Sequence, residues 1–149
     1  MTIRALEIGK AAEHLVCADL ILAGRRAFLS DQGSPYDILV DLGDRFVRVQ
    51  VKATGQPKNA NTKGRAPNFV YVFHVRRRGR DGVGERLSQK HCDVLALVAL
   101  DTRHIAYMSV AKVAQTVSLY PAGYIFPGKY KRSRYASIDG FSFDEAIQC

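Results

Sequence analysis

The sequence predicts an α/β fold, and three stretches predict it. A long amphipathic helix opens the chain, and a strand–turn–strand unit follows. Further on, the unbroken apolar run Val94-Leu95-Ala96-Leu97-Val98-Ala99-Leu100 has the character of a central strand buried on both faces. At 149 residues and 47% apolar content, the chain suits one ordinary domain, residues 1–149, with a core of its own. No stretch approaches the roughly 18–20 apolar residues of a membrane span, so no membrane role is expected. Residues 1–7 hold neither an apolar signal core nor a small-residue cleavage site. Cys17, Cys92 and Cys149 make an odd, widely spaced set, which points to free thiols and a cytoplasmic setting.

Residues 3–23 read as the helix, stopped by Gly24 as a C-terminal cap glycine. On a wheel of about 100° per residue, Leu6, Gly9, Glu13, Val16, Cys17 and Leu20 share one stripe. Glu13 is thus an acid on an apolar face, and carboxylates are seldom buried there unless paired or bound to a metal. It either reaches the rim, meets a basic partner, or points into a site. A short strand at 27–30 leads into the turn-rich loop Asp31-Gln32-Gly33-Ser34-Pro35.

The hairpin comes next, with two apolar-rich runs joined by a tight turn at Gly43-Asp44. A turn symmetric about that pair sets Leu42 facing Arg45 and Asp37 opposite Gln50. Side chains alternate along a strand, so Ile38, Val40, Leu42, Val47, Val49 and Val51 form the core face. Asp37, Leu39, Asp41, Arg48, Gln50 and Lys52 take the other. Opposed residues have Cβ atoms roughly 4.5–5.5 Å apart, so a carboxylate, an amide and an ammonium gather at one end of the hairpin. A register slip of one residue would scatter them.

Residues 54–68 read as an unusually long loop, a sign of a functional segment. Residues 69–75 read as a strand in which His74 is a core or interface residue, and 76–84 as a basic, glycine-rich turn. Residues 92–100 and 104–110 form a strand pair turning at Asp101-Thr102-Arg103. A helical turn is expected at 111–117 and a closing helix at 143–147. Between them, Tyr120, Tyr124, Phe126, Tyr130 and Tyr135 interleave with Lys129, Lys131, Arg132 and Arg134; the tyrosines either pack the sheet or stack on bases.

The net charge is +8 and the pI about 9.6, which favours an anionic partner, most often nucleic acid. The distribution sharpens this. No acid occurs from Arg45 to Arg80 or from Thr102 to Ile138. The polyanion contacts expected are Lys58, Lys63 and Arg65 on the long loop, Arg76, Arg77, Arg78 and Arg80 on the basic turn, and Lys129, Lys131 and Arg132 in the aromatic tract. Arg48, on the hairpin, is either a phosphate contact or an ion-pair partner. His14, Cys17, His91 and Cys92 lack the close paired spacing of structural zinc.

Glu13, Asp37, Gln50 and Lys52 together suit metal-assisted phosphodiester hydrolysis. Mg²⁺ takes hard oxygen ligands and keeps several waters, so one or two carboxylates suffice; Mn²⁺ is a possible substitute. The expected ligands are Asp37, Gln50, Glu13 and the backbone carbonyl of Val51. Lys52 would orient or deprotonate a water and stabilise charge on the phosphorane.

Asp37, a hairpin, then Gln50-Val51-Lys52, with Glu13 on the preceding helix, resembles the PD-(D/E)XK nuclease superfamily. Gly9-Lys10-Ala11-Ala12-Glu13-His14-Leu15-Val16 is similar to the helix that supplies an extra glutamate in archaeal Holliday-junction resolvases. The Gln-x-Lys form is nearer that of small homing endonucleases associated with group I introns. The resemblance covers roughly residues 6–54. It implies a restriction-endonuclease-like core with a mixed β-sheet flanked by helices, Mg²⁺ dependence, and double-stranded DNA cut by a homodimer or homotetramer. Two departures stand out. Pro35 lies two residues before Asp37, and Gln50 replaces the usual acid, removing one negative charge from the metal site. Junction resolution and restriction-type cleavage are alternatives within this class. Outside it stand a catalytically silent DNA-binding domain of the same fold and an RNA-binding module that uses the strand aromatics.

Overall fold

Helix α1 (Ala5–Leu22) begins where the Arg4 N–H donates to the Glu7 carboxylate at 3.0 Å, satisfying one exposed backbone donor. It ends where Gly24 takes φ +87°, a conformation only glycine adopts without steric cost, and the Arg25 N–H returns to the Leu20 carbonyl at 2.9 Å. In the computed structural model, which describes residues 4–31, 33–61, 63–78, 84–124 and 136–148, ten strands and a second helix follow. Arg80, Lys129, Lys131 and Arg132 lie outside the described residues, as does the aromatic tract beyond Tyr124.

Strands β1 (Arg26–Leu29), β2 (Ile38–Asp41), β3 (Phe46–Thr54), β8 (Val94–Ala99) and β9 (His104–Ser109) form one sheet in the order β1-β2-β3-β8-β9. Pairing is antiparallel except between β3 and β8, so the sheet is mixed. Every residue of β8 is buried, as expected for an apolar strand between two neighbours and two layers. The hairpin register is the one that the symmetric turn requires. Leu39 pairs with Arg48, Val40 with Val47, and the Leu42 N–H donates to the Arg45 carbonyl at 2.9 Å.

One face of this sheet, through Val40, Val47, Val49, Val94, Ala96 and Val98, packs against Ala12, Val16, Cys17 and Leu20 of α1. Helix α2 (Phe143–Ile147), capped by Ser142 accepting from the Glu145 N–H, adds Phe143 and Ala146 to the same layer. The opposite face, through Leu95, Leu97 and Ala99, packs against strand β5 (Phe69–His74) and strand β10 (Thr116–Leu119). Both helices therefore share one side of the sheet, and smaller strands cover the other. Strand β4 (Lys58–Asn59) joins β5 and β10 in a three-stranded sheet, while β6 (Arg76–Arg78) and β7 (Gly84–Arg86) pair as a separate ribbon.

Four expectations change. Leu6 is 85% exposed rather than in the core stripe, because the first turns of α1 overhang the sheet and border a cleft. The 54–68 segment is not all loop: Thr54 still belongs to β3, and β4 pairs with β5. His74, read as a core or interface residue, is exposed and so not core, since alternation along β5 sends Tyr71, Phe73 and then Val75 inward. The 111–117 stretch divides into a 3-10 turn at Val110–Lys112 and the start of β10.

Candidate active site

Strand β3 runs past the end of β2: the last paired residues are Ile38 and Val49, whereas β3 continues to Thr54. Asp37 sits just beyond that last pair. Its N–H donates to the Val49 carbonyl at 2.9 Å, which fixes the backbone, and its side chain turns toward the stretch of β3 that β2 leaves open. There one oxygen, Oδ2, accepts from the Val51 N–H at 2.7 Å and from Gln50 Nε2 at 2.8 Å. A residue's N–H and C=O leave an extended strand on the same edge, so the Val51 carbonyl also faces the Asp37 side.

Burial raises the Asp37 pKa above the usual carboxylate range, outweighing the Val51 hydrogen bond and the nearby Lys52 charge. Glu13 is raised as well, first by burial and then by the charge of Asp37; Lys10 and His14 act against this. The two carboxylates thus feel one another across a cleft of about 810 Å³ between the N-terminal half of α1 and the 30–37 segment. Glu13, Lys10, Ser34 and Asp37 are among its lining residues. The apolar-face acid of the sequence is a half-buried group opening onto this cleft.

Lys52 is half-buried, and burial lowers its pKa although Asp37 opposes the change. Its ammonium donates to the backbone carbonyl of Arg76, the first residue of β6, at 2.9 Å. Arg76 is itself held, its guanidinium donating to Gln115 Oε1 at 2.7 Å. The basic ribbon and the catalytic candidate are therefore in direct contact. No group of three or more His, Cys, Asp or Glu that could hold a metal occurs among the described residues. The donor set here is two carboxylates, an amide and a backbone carbonyl, all oxygen donors or able to present oxygen.

Arg48 turns out to be an ion-pair residue. Its guanidinium meets both oxygens of Asp93 at 3.0 and 3.2 Å and donates to the carbonyls of Gln89 and Lys90 at 2.7 and 3.1 Å. Burial disfavours the Asp93 carboxylate, but hydrogen bonds from Arg48 outweigh it and hold the pKa below the ordinary value. Asp93 escaped the sequence reading; its position immediately before the apolar run becomes informative only once β3 and β8 are paired. Asp41, on the non-core face of the hairpin, lies 3.9 Å from Arg26 and caps the turn by accepting from the Gly43 N–H at 2.8 Å.

Lys58, Lys63 and Arg65 are exposed, Lys58 on β4 and the other two on the following turn. Arg77 and Arg78 pair in register with Glu85 and Gly84 in the β6–β7 ribbon. Of the tyrosines, Tyr120 is buried and stacks on Tyr124 at 4.0 Å between ring centroids, so it serves packing. His14 and Cys17 on α1 join no metal cluster with His91 and Cys92; burial raises the Cys92 thiol pKa to about 11.

No helix among the described residues is long and apolar enough to cross a membrane. No protein-family model matches the chain, and no curated protein matches it in sequence. Among solved structures, the fold is similar to that of the bacterial homing endonuclease I-Ssp6803I, with a TM-score of 0.66 and 15% identity over 98% of this chain and 93% of that one.

Proposed function

We propose that this chain is a Mg²⁺-dependent endonuclease of the PD-(D/E)XK type that hydrolyses phosphodiester bonds in double-stranded DNA, site-specifically in the manner of a homing enzyme. The observation that carries the reading is the joint placement of Asp37, Gln50, Val51 and Lys52 at the open end of the hairpin, with Glu13 across the same cleft. The fold likeness to a homing endonuclease agrees with it.

The oxygen-rich donor set fits a hard divalent cation, and two carboxylates held above their ordinary pKa are groups that such a cation would relieve. Asp37, Glu13, the Val51 carbonyl and Gln50 through its amide oxygen would hold it. A bound Mg²⁺ supplies charge neutralisation at the phosphate and acidifies a water. The chain's own residues do the rest. The Val51 N–H and Gln50 hold the Asp37 carboxylate in one orientation. Lys52, released from the Arg76 carbonyl, reaches the phosphate or accepts a proton from the attacking water, for which a lowered pKa suits it. The water oxygen forms the new P–O bond as one bond from phosphorus to a deoxyribose oxygen breaks. One 16.5 kDa subunit carries one such site, so cutting both strands calls for a homodimer or homotetramer, or two events.

A catalytically silent DNA-binding domain is the second reading. It is favoured by Gln50, whose amide nitrogen on Asp37 stands where the superfamily places a carboxylate. Cleavage assays on a plasmid library of candidate sites, with Mg²⁺ and with EDTA, separate the two. Wild type would run beside Asp37→Asn and Lys52→Ala, with DNA binding checked by mobility shift. Cleavage that needs Mg²⁺ and disappears in both variants while binding persists supports the nuclease. Tight binding without cleavage of duplexes or four-way junctions, in Mg²⁺ or Mn²⁺, hands the chain to the silent reading.

A further inference from the structure

The protein is strongly basic, yet its candidate catalytic cleft is acidic. Among the described residues, the charged side chains lining the cleft are the acids Glu7, Glu13, Asp31 and Asp37 and the single base Lys10. A polyanion entering here meets carboxylates on both walls. Divalent metal can neutralise the pair at Glu13 and Asp37, but it leaves the outer part of the cleft unaddressed.

Lys10 occupies that outer part. It lies three residues before Glu13 on α1, hence on the same flank and about 4.5 Å nearer the helix start. Helical side chains lean toward the N-terminus, which carries its ammonium farther out along the cleft. It is exposed, and among the described residues it makes no ion pair. The nearest carboxylate toward the helix start, Glu7, is already committed to the Arg4 N–H. The charge of Lys10 is felt by Glu13, but its exposed ammonium stays open to a ligand. On the opposite side of Asp37 stands Lys52, anchored to the root of the basic ribbon.

We infer that Lys10 is a substrate-binding residue, contacting a DNA phosphate next to the one at Glu13 and Asp37, so that the strand is clamped by Lys10 on the helix side and by Lys52 on the sheet side. The inference rests on the endonuclease reading and deepens it: no other cation of the cleft lining could serve this phosphate. A competing role is simple screening, in which Lys10 only softens the repulsion among the carboxylates.

The test is Lys10→Gln and Lys10→Arg beside wild type, with thermal melting to confirm the fold. Affinity for a random-sequence duplex is measured against NaCl concentration with Ca²⁺ present, and cleavage is measured against Mg²⁺ concentration. A phosphate contact predicts that Lys10→Gln lowers the slope of log affinity against log salt by about one and raises KM several-fold, with Lys10→Arg restoring both. An unchanged salt slope in Lys10→Gln, with half-maximal cleavage moved to lower Mg²⁺, would overturn the inference in favour of screening. An unchanged slope with unchanged Mg²⁺ dependence would overturn it outright. Failure of the endonuclease reading is separable, since it shows as no Mg²⁺-dependent cleavage by wild type at all.

Discussion

At the scale of single residues, Asp37 carries opposed demands. Its carboxylate is raised by burial, so between the unfolded-state pKa near 3.8 and the higher folded value the folded protein binds the extra proton. Stability from this group is therefore greatest at low pH and declines as pH rises through that window. Above it, the ionised side chain is a standing cost. Asp37→Asn is expected to raise the melting temperature at pH 7–8 in EDTA and to flatten that decline, while reducing cleavage by about 100-fold or more. Calorimetry across pH, paired with cleavage rates, checks both halves; a variant that is both less stable and fully active would contradict the site assignment. Arg48 and Asp93 behave oppositely. Asp93 has a lowered pKa, so its contribution is present above pH 3.8 and fades as pH falls through the folded value. With side chains 31% and 39% exposed, the pair is partly screened, and Arg48→Ala should cost about 1 kcal/mol at neutral pH, less in acid. Urea denaturation at two pH values measures it.

At the scale of elements, the hairpin turn sets which side chains meet at the candidate site. Gly43 has φ +93°, a conformation that strains any residue with a Cβ, and the turn it permits pairs Val40 with Val47. Gly43→Ala should destabilise by roughly 1–2 kcal/mol yet keep the register and the cleavage. Inserting one glycine beside Gly43 is the sharper experiment. It moves Asp37 away from Gln50 and Val51, and cleavage should be lost even if the domain still folds, as read by circular dichroism and plasmid nicking. Strand β8 poses a purely structural case. Leu97 is fully buried between the two layers, and Leu97→Ala should cost about 2–5 kcal/mol, visible as a lowered urea midpoint.

For the whole molecule, the exposed cations and the candidate site are segregated. The cleft is acidic, while Lys58, Lys63 and Arg65 on and after β4, and Arg76 at the start of β6, are exposed cations outside its lining. Replacing Lys58, Lys63 and Arg65 together by glutamine should weaken duplex binding uniformly across sequences. The salt slope should fall by up to about three if each residue meets a phosphate. A slope identical to wild type would move the DNA path elsewhere. Lys52 ties these regions together, because its amine is held by the first carbonyl of the ribbon rather than by Asp37.

The local features of this protein were legible in its sequence because they depend on near neighbours. The glycine stop of α1, the hairpin register that brings Gln50 to Asp37, the fully buried β8 and the closing helix α2 all follow from spacing, alternation and turn chemistry. Other features required the assembled fold, because their partners lie far apart along the chain. Arg48 meets Asp93 only once β3 runs parallel to β8. Lys52 meets the Arg76 carbonyl only once the ribbon folds back on the sheet. Glu13 and Asp37 share a cleft only because α1 overhangs the end of the hairpin, and the same overhang leaves Leu6 in solvent rather than in the core. Periodicity assigns a residue to a face of its own element; what that face meets is decided by how the elements pack.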